Sequence, residues 1–240
     1  MSILDYFDYA YAVEDEQFDQ IYPAEIRDLS SCHWTPVAIA RKAAKLLVDS
    51  PKTRVLDLGS GVGKFCMIGA LTTAGHFTGV EQRRALANLT KAIIQREQIP
   101  NTEIINANVT DIDFSAYDAF YLFNPFEENL FKLRKIDSSV DLSRTLYERY
   151  TQHVAAQLAR APLMTRVVTY GGACEEVPLC YECQRSSDSD TLKLWQKTRN
   201  LPGTDIPLDA RPARNRWRFL CDFAAQERDL WAYFNGRSAS

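Results

Sequence analysis

Apolar and polar positions along this chain alternate between two periods, and the alternation predicts helices and strands in turn. Within PVAIARKAAKLLVDS, Ile39 to Val48 has apolar residues at helical spacing, and Pro36 suits the first turn. Arg54 to Leu58 is a short apolar run closed by glycines, which predicts a strand, and Lys64 to Ala74 then predicts a helix. His76 to Val80, ended by Glu81, predicts a second strand, and Arg84 to Gln98 a helix with Leu86, Leu89, Ile93 and Ile94 on one face. Further strands are expected at Glu103 to Asn106, Tyr117 to Phe123 and Met164 to Tyr170, with an amphipathic helix from Leu142 to Arg160. The fourth strand is apolar apart from Asp118, as a strand buried on both faces should be.

Strand–helix alternation of this kind argues for βαβ units and a parallel, doubly wound α/β sheet. After Gly171-Gly172 the pattern changes. Val177 to Arg185 and Leu192 to Thr198 read as two strands joined by a short polar run, which permits an antiparallel hairpin at the sheet edge and makes a seven-stranded, mostly parallel sheet. Three regions are expected: 1–35, an N-terminal helical extension or lid; 36–200, the α/β domain; and 201–240, an extension packed on the same domain.

Composition narrows the class. With 240 residues, 46% of them hydrophobic, the chain can bury one substantial core, so a single decorated domain is expected. A net charge of −3 disfavours a globally basic nucleic-acid binder. The opening MSILDYFDYAYAVEDEQFDQ is acidic and aromatic and lacks the basic and apolar regions of a signal peptide. Together with the absence of a bilayer-length apolar run and with six scattered cysteines, it makes a cytoplasmic protein with reduced thiols, away from the membrane, the expectation. A monomer or homodimer is expected. Cys174, Cys180 and Cys183 lack a fourth ligand at recognisable spacing, so no metal is expected.

The strongest local signal is Val55-Leu-Asp-Leu-Gly-Ser-Gly-Val-Gly63, with Gly59, Gly61 and Gly63 between a strand and a helix. Glycines let a ligand approach the backbone and permit unusual φ. The spacing is G-x-G-x-G, whereas a dinucleotide site wants G-x-G-x-x-G. Asp57 precedes the loop, where its charge would oppose a pyrophosphate and favour an ammonium. Glu81, at the end of the next strand, stands where a carboxylate can accept the hydroxyls of a ribose. The layout points to an adenosine that carries a cationic amino acid and no phosphate. A tight strand–helix turn without a ligand is the alternative, but it gives the acid–glycine–acid order no packing purpose.

VLDLGSGVGKF followed by GVE resembles motifs I and II of the class I S-adenosylmethionine-dependent methyltransferases, over roughly Thr35 to Tyr170. The resemblance implies a Rossmann-like fold and S-adenosyl-L-methionine as cofactor. It places the loop Gly59, Ser60, Gly61 and Gly63 under the methionine part, Glu81 on the ribose, and Asn108 and Val109 beside the adenine. His33-Trp-Thr-Pro36 resembles the T-P element that helps cover the methionine carboxylate in amino-methyltransferases of nucleic acids; Thr35 can equally cap the helix begun by Pro36.

Asn124-Pro125-Phe126, at the carboxyl end of the fourth strand, resembles the N-P-P-[YF] motif of methyltransferases that act on planar or amine nitrogens, with the second proline missing. There, the Asn side chain and a Pro carbonyl accept hydrogen bonds from the target nitrogen. Asn124, Pro125 and Phe126 are therefore the candidate catalytic residues, and Glu127 or Glu128 could assist deprotonation or simply favour a helix start. The same turn is similar to the N-x-F of the non-SET histone lysine methyltransferases. That resemblance and the acidic balance make a protein side-chain nitrogen the first acceptor expected, ahead of a nucleic-acid base and a small metabolite; a non-catalytic adenosine-binding subunit is the reading of another class. Arg211, Arg214, Arg216 and Arg218 around Trp217 could touch nucleic acid or form a solvated terminal segment. The aromatics Tyr6, Phe7, Tyr9, Tyr11, Phe18 and Tyr22 could form a lid or pack on the sheet.

Overall fold

The structure, a computed structural model, describes residues 13–131, 135–187 and 189–200. These residues fall within one compact unit, Met1–Thr204. The expectations for Tyr6, Phe7, Tyr9, Tyr11, the basic stretch Arg211 to Arg218 and the extension 201–240 lie outside the described residues.

The N-terminal extension forms short helices α1 (Asp15–Phe18), α2 (Ala24–Arg27) and α3 (Ser30–His33). The alternating part follows as α4 (Val37–Leu47), β1 (Arg54–Leu58), α5 (Lys64–Thr72), β2 (His76–Glu81), α6 (Arg84–Glu97), β3 (Thr102–Asn106), β4 (Ala119–Leu122), α7 (Arg144–Arg160) and β5 (Arg166–Tyr170). The strands β6 (Tyr181–Ser186) and β7 (Leu192–Lys197) close the order. They form a 7-stranded sheet, β3-β2-β1-β4-β5-β7-β6. β3, β2, β1, β4 and β5 run parallel, β7 is antiparallel to β5, and β6 to β7. The expected edge hairpin is present, and the described part of the chain has the seven-stranded α/β architecture that the pattern predicts.

Each element follows from its residues. α4 buries Val37, Ala40, Ala43, Ala44 and Leu47, one stripe at helical spacing. α5 is buried almost all round, because it lies between the sheet and the N-terminal extension. Phe18, Tyr22 and Trp34 join α4 and α5 in the layer on one face of the sheet, while Tyr147, Tyr150, Val154 and Leu158 of α7 build the layer on the other. β4 is buried at every position, as the switch from β1 to β4 at the sheet centre requires.

Two boundaries differ from expectation. Val177 and Cys180 are buried from a turn that precedes β6, so apolar side chains that read as strand pack into the second layer without pairing. Pro36 stands just outside α4, and Thr35 does not cap it. The side chain of Asp15 accepts the Val37 amide at 3.0 Å instead, so the cap comes from the N-terminal extension. On the hairpin side of the sheet the buried ammonium of Lys197 donates to the carbonyls of Ala159 and Ala161, at 2.7 and 2.5 Å, and closes α7 at its negative pole.

Candidate active site

The carboxyl ends of β1, β2, β4 and β5 converge where the strand order reverses, which is where open α/β sheets bind ligands. β1 leads into Gly59, Gly61 and Gly63, with φ of 74°, 54° and 68°. All three need glycine twice over, Gly63 because a Cβ there would meet Thr90 Cγ2. A Cβ on Gly61 would enter the Trp34 ring, and one on Gly59 would stand 3.1 Å from Cβ of Pro125. The glycines thus bring Trp34 from the N-terminal extension and Pro125 from the β4 turn onto one loop.

Four of the loop amides bond within the protein. Gly59 and Ser60 donate to the Val80 carbonyl at 3.0 and 2.9 Å, Gly63 donates to the Ser60 carbonyl at 2.8 Å, and Gly61 donates to Glu81 Oε2 at 3.0 Å. With these donors engaged, the stretch from Gly59 to Gly63 is a poor phosphate cradle, because a phosphate site needs such amides turned to the ligand.

Asp57 and Glu81 flank the loop, both 4% exposed. Burial pushes the Asp57 carboxyl up to about 7; the Cys66 thiol, 3.4 Å away, lowers it in part, and the negative charge of Glu81 raises it. Its charged neighbour is therefore another acid. Glu81 is also raised by burial, opposed by the amide and charge of Arg83 and by the amide of Gly61. Its Oε1 accepts the Arg83 amide at 2.6 Å. An ionised carboxylate has about four lone-pair positions, so Glu81 keeps acceptor capacity for a pair of hydroxyls.

Beyond β4, Asn124 has φ of 43°, a left-handed conformation that asparagine tolerates better than most residues. Its Nδ2 donates to Glu127 Oε2 at 3.2 Å. The same carboxamide lies against Gly171 and Gly172 after β5, where a Cβ on Gly172 would collide with Oδ1. Phe123 and Tyr170 pair across the ends of β4 and β5 with ring centroids 4.9 Å apart. Phe126 turns the other way. It is buried in the second layer against the Tyr150 ring, 5.3 Å between centroids. The two glutamates separate in role: Glu128 accepts from Arg83 at 2.8 Å and from the Ile136 amide at 2.6 Å, so it fastens the β4 loop, whereas Glu127 touches Asn124.

The remaining expected residues are placed as follows. Asn108 spends its side chain locally, donating to the Tyr150 hydroxyl at 2.8 Å and accepting from Thr110, which leaves the backbone for any adenine contact; Val109 is buried in the second layer. Thr35 is buried and shares a 3.0 Å hydrogen bond with the Tyr121 hydroxyl. Trp34 donates through Nε1 to the Ile26 carbonyl at 3.2 Å, which fixes its ring over the loop.

Several contributors were not singled out from sequence. Lys64, first residue of α5, is 2% exposed and contacts Asp15 at 2.6 Å, Asp19 at 2.7 Å and Ser30 at 3.1 Å. A lone lysine opening an otherwise apolar helix was the available signal. Arg83 joins Glu128 and, at 3.1 Å, Asp137. The adjacent glycines 171 and 172 at a strand's carboxyl end pack against the Asn124 carboxamide, but in sequence they read only as the end of the parallel pattern.

Strand order, edge hairpin and the position of the glycine loop define a Rossmann-like α/β fold, which solved methyltransferases share. An RNA methyltransferase from Salinibacter ruber, solved with S-adenosyl-L-homocysteine, matches at TM-score 0.50 and 17% identity, over 72% of this chain and 99% of the other. TrmN from Thermus thermophilus matches at 0.50 and 14%, over 70% of this chain and 51% of its own. At these identities the likeness is one of fold. No protein-family model matches the chain, and no curated protein does. Among the described residues, no helix is long and apolar enough to cross a membrane.

Proposed function

We propose that this protein is a methyltransferase that uses S-adenosyl-L-methionine and transfers its methyl group to a nitrogen. The carrying observation is the pair of buried acids, Asp57 and Glu81, on either side of a glycine loop whose amides at Gly59, Ser60, Gly61 and Gly63 bond within the protein. Such a site suits a ligand with an ammonium at one end and a ribose at the other, and it disfavours a pyrophosphate. Thr35, Asp57, Gly59, Ser60, Gly61, Gly63, Glu81, Asn108, Val109 and Asn124 are the residues proposed to surround it. The cofactor supplies an electrophilic methyl on a sulfonium. The chain supplies alignment: Asn124 and the Pro125 carbonyl hold the N–H of the acceptor so that its lone pair faces that methyl. The transfer would exchange a sulfur–carbon bond for a nitrogen–carbon bond, with the proton of the acceptor nitrogen released to water.

A protein side-chain nitrogen fits the net charge of −3, which favours a basic target. The Phe123–Tyr170 pair beside Asn124 favours a second reading, the planar amino group of a nucleic-acid base. The neighbour matched over nearly its whole length is an RNA methyltransferase, which supports that second reading. The test is transfer of labelled methyl from S-adenosyl-L-methionine into cell extract, fractionated into protein, nucleic acid and small molecules. Label in protein supports the first acceptor and label in nucleic acid the second. Label confined to small molecules rejects both, and no label at all, with no calorimetric binding of the cofactor, ends the methyltransferase reading.

A further inference from the structure

The Asn124 carboxamide could in principle present either end to an acceptor. An amide nitrogen presented to it would select a hydrogen-bond acceptor; an amide oxygen would select an N–H. The structure removes that ambiguity. Glu127 Oε2 lies 3.2 Å from Asn124 Nδ2, and an ionised carboxylate can only accept. The nitrogen end must therefore face Glu127, and Oδ1 the opposite way. Oδ1 takes up the place a Cβ on Gly172 would occupy, so the bare backbone of Gly172 admits the carboxamide in this orientation.

Glu127 is itself held in register. Its amide donates to the Asn124 carbonyl at 3.2 Å, and the turn Glu127–Asn129 is closed by Asn129, which donates to the Phe126 carbonyl at 3.0 Å and accepts the Ser143 amide at 3.2 Å. Asn129 is 6% exposed, so this closure is shielded from water. The neighbouring glutamate is engaged by Arg83, so the two acids do not compete for Asn124.

We propose that Glu127 is a positioning residue that fixes the polarity of the Asn124 carboxamide and so restricts the acceptor to groups that bring an N–H. The proposal deepens the methyltransferase reading and rests on it for the identity of the site. Glu127 acts through Asn124 and takes no proton from the acceptor.

Two measurements test it. The first needs no ligand: hydrogen exchange of the Asn124 side-chain NH2, followed by NMR on nitrogen-15-labelled protein and assigned by its loss in Asn124→Ala. Exchange is expected to be about tenfold slower in the wild type than in Glu127→Lys, as for the loss of one hydrogen bond to a charged group. Glu127→Gln, whose amide oxygen can accept the same bond, should restore the protection. Equal exchange in all three proteins would overturn the proposal. The second uses protein saturated with S-adenosyl-L-homocysteine and two probes of like shape, 4-aminopyrimidine and 4-methoxypyrimidine. The amino probe should bind about fivefold or more tighter to the wild type and to Glu127→Gln, the ratio for one hydrogen bond. In Glu127→Lys the ammonium draws Oδ1 to itself, and the preference should vanish or invert. A preference unchanged by the lysine substitution would sink the inference while leaving the cofactor site intact. Failure of S-adenosyl-L-homocysteine to bind the wild type would instead sink the methyltransferase reading, and the exchange result would still decide the role of Glu127.

Discussion

Replacing Asp57 by asparagine should make the protein more stable at neutral pH and worse at binding its cofactor. Asp57 is fully enclosed, with a carboxyl raised by burial from 3.8 to about 7. In the unfolded chain the same group ionises near 3.8. Between those values the unfolded state releases the proton and the folded state keeps it, so the contribution of Asp57 to stability falls as pH rises through the window. Each pH unit between the two values costs about 1.4 kcal/mol, so the full loss above pH of about 7 is on the order of 4 kcal/mol. The Asp57→Asn side chain would not titrate and would escape that loss. Part of the gain is offset because the Cys66 thiol would face a neutral amide in place of a carboxylate.

The binding side runs opposite. An ammonium pairs with ionised Asp57, so below pH of about 7 the wild type must give up a proton to bind, and affinity should weaken toward tenfold per pH unit in acid. Above that pH affinity should level off. Denaturant unfolding and calorimetry with S-adenosyl-L-methionine, each across about two pH units on either side of neutrality, check both halves. A stability gap between variant and wild type that does not widen with pH would refute the buried, protonated state of Asp57. Wild-type affinity flat with pH, or Asp57→Asn binding as tightly as the wild type in alkali, would separately refute its contact with the ammonium.

Three further outcomes are expected. Glu81→Gln keeps one acceptor oxygen but loses the charge and one of the bonds to the amides of Gly61 and Arg83, so calorimetry should show cofactor affinity lower by about tenfold or more; unchanged affinity would remove Glu81 from the site. Lys64→Met leaves Asp19, 6% exposed, without its cation, and equilibrium unfolding should register a loss of about 3–5 kcal/mol, against well under about 1 kcal/mol if the contact is idle. Gly61→Ala forces a left-handed alanine, worth about 1–2 kcal/mol, and drives its methyl into Trp34. Unfolding in a Trp34→Phe background should recover part of that cost, and no recovery would refute the contact as its source.

The parts of this fold that sequence reasoning reached are those whose signal is local. Arg54–Leu58 reads as a strand and is one, because five residues suffice to show an apolar run stopped by glycines. The glycine loop and its flanking acids were legible for the same reason: Asp57 stands next to the loop in the chain, and Glu81 ends the next strand by register, Leu58 pairing with Val80. The N-terminal extension was less legible. Its helices are about one turn each and carry no period to read, and what orders them is long-range: Asp15 and Asp19 on Lys64, Tyr22 donating to the Val62 carbonyl at 3.3 Å, Trp34 over Gly61. Phe126 illustrates the opposite error. A motif that matches residue by residue assigns it to the acceptor, but the turn that sets Asn124 left-handed also rotates Phe126 toward Tyr150.

The same turn explains why the chemistry of the site is only half written in its motif. Asn124 is identifiable from three residues of sequence, yet its usefulness depends on which way its amide faces. That direction is decided by Glu127, one helical turn away in sequence, and by two glycines that reach it only after α7 and β5 have been laid down. A substitution at Gly172 would therefore leave the motif untouched and still alter the acceptor side of the site, since any side chain there would displace the Asn124 carboxamide from its present orientation. The motif names the carboxamide that would align the acceptor, and the tertiary contacts give it a direction.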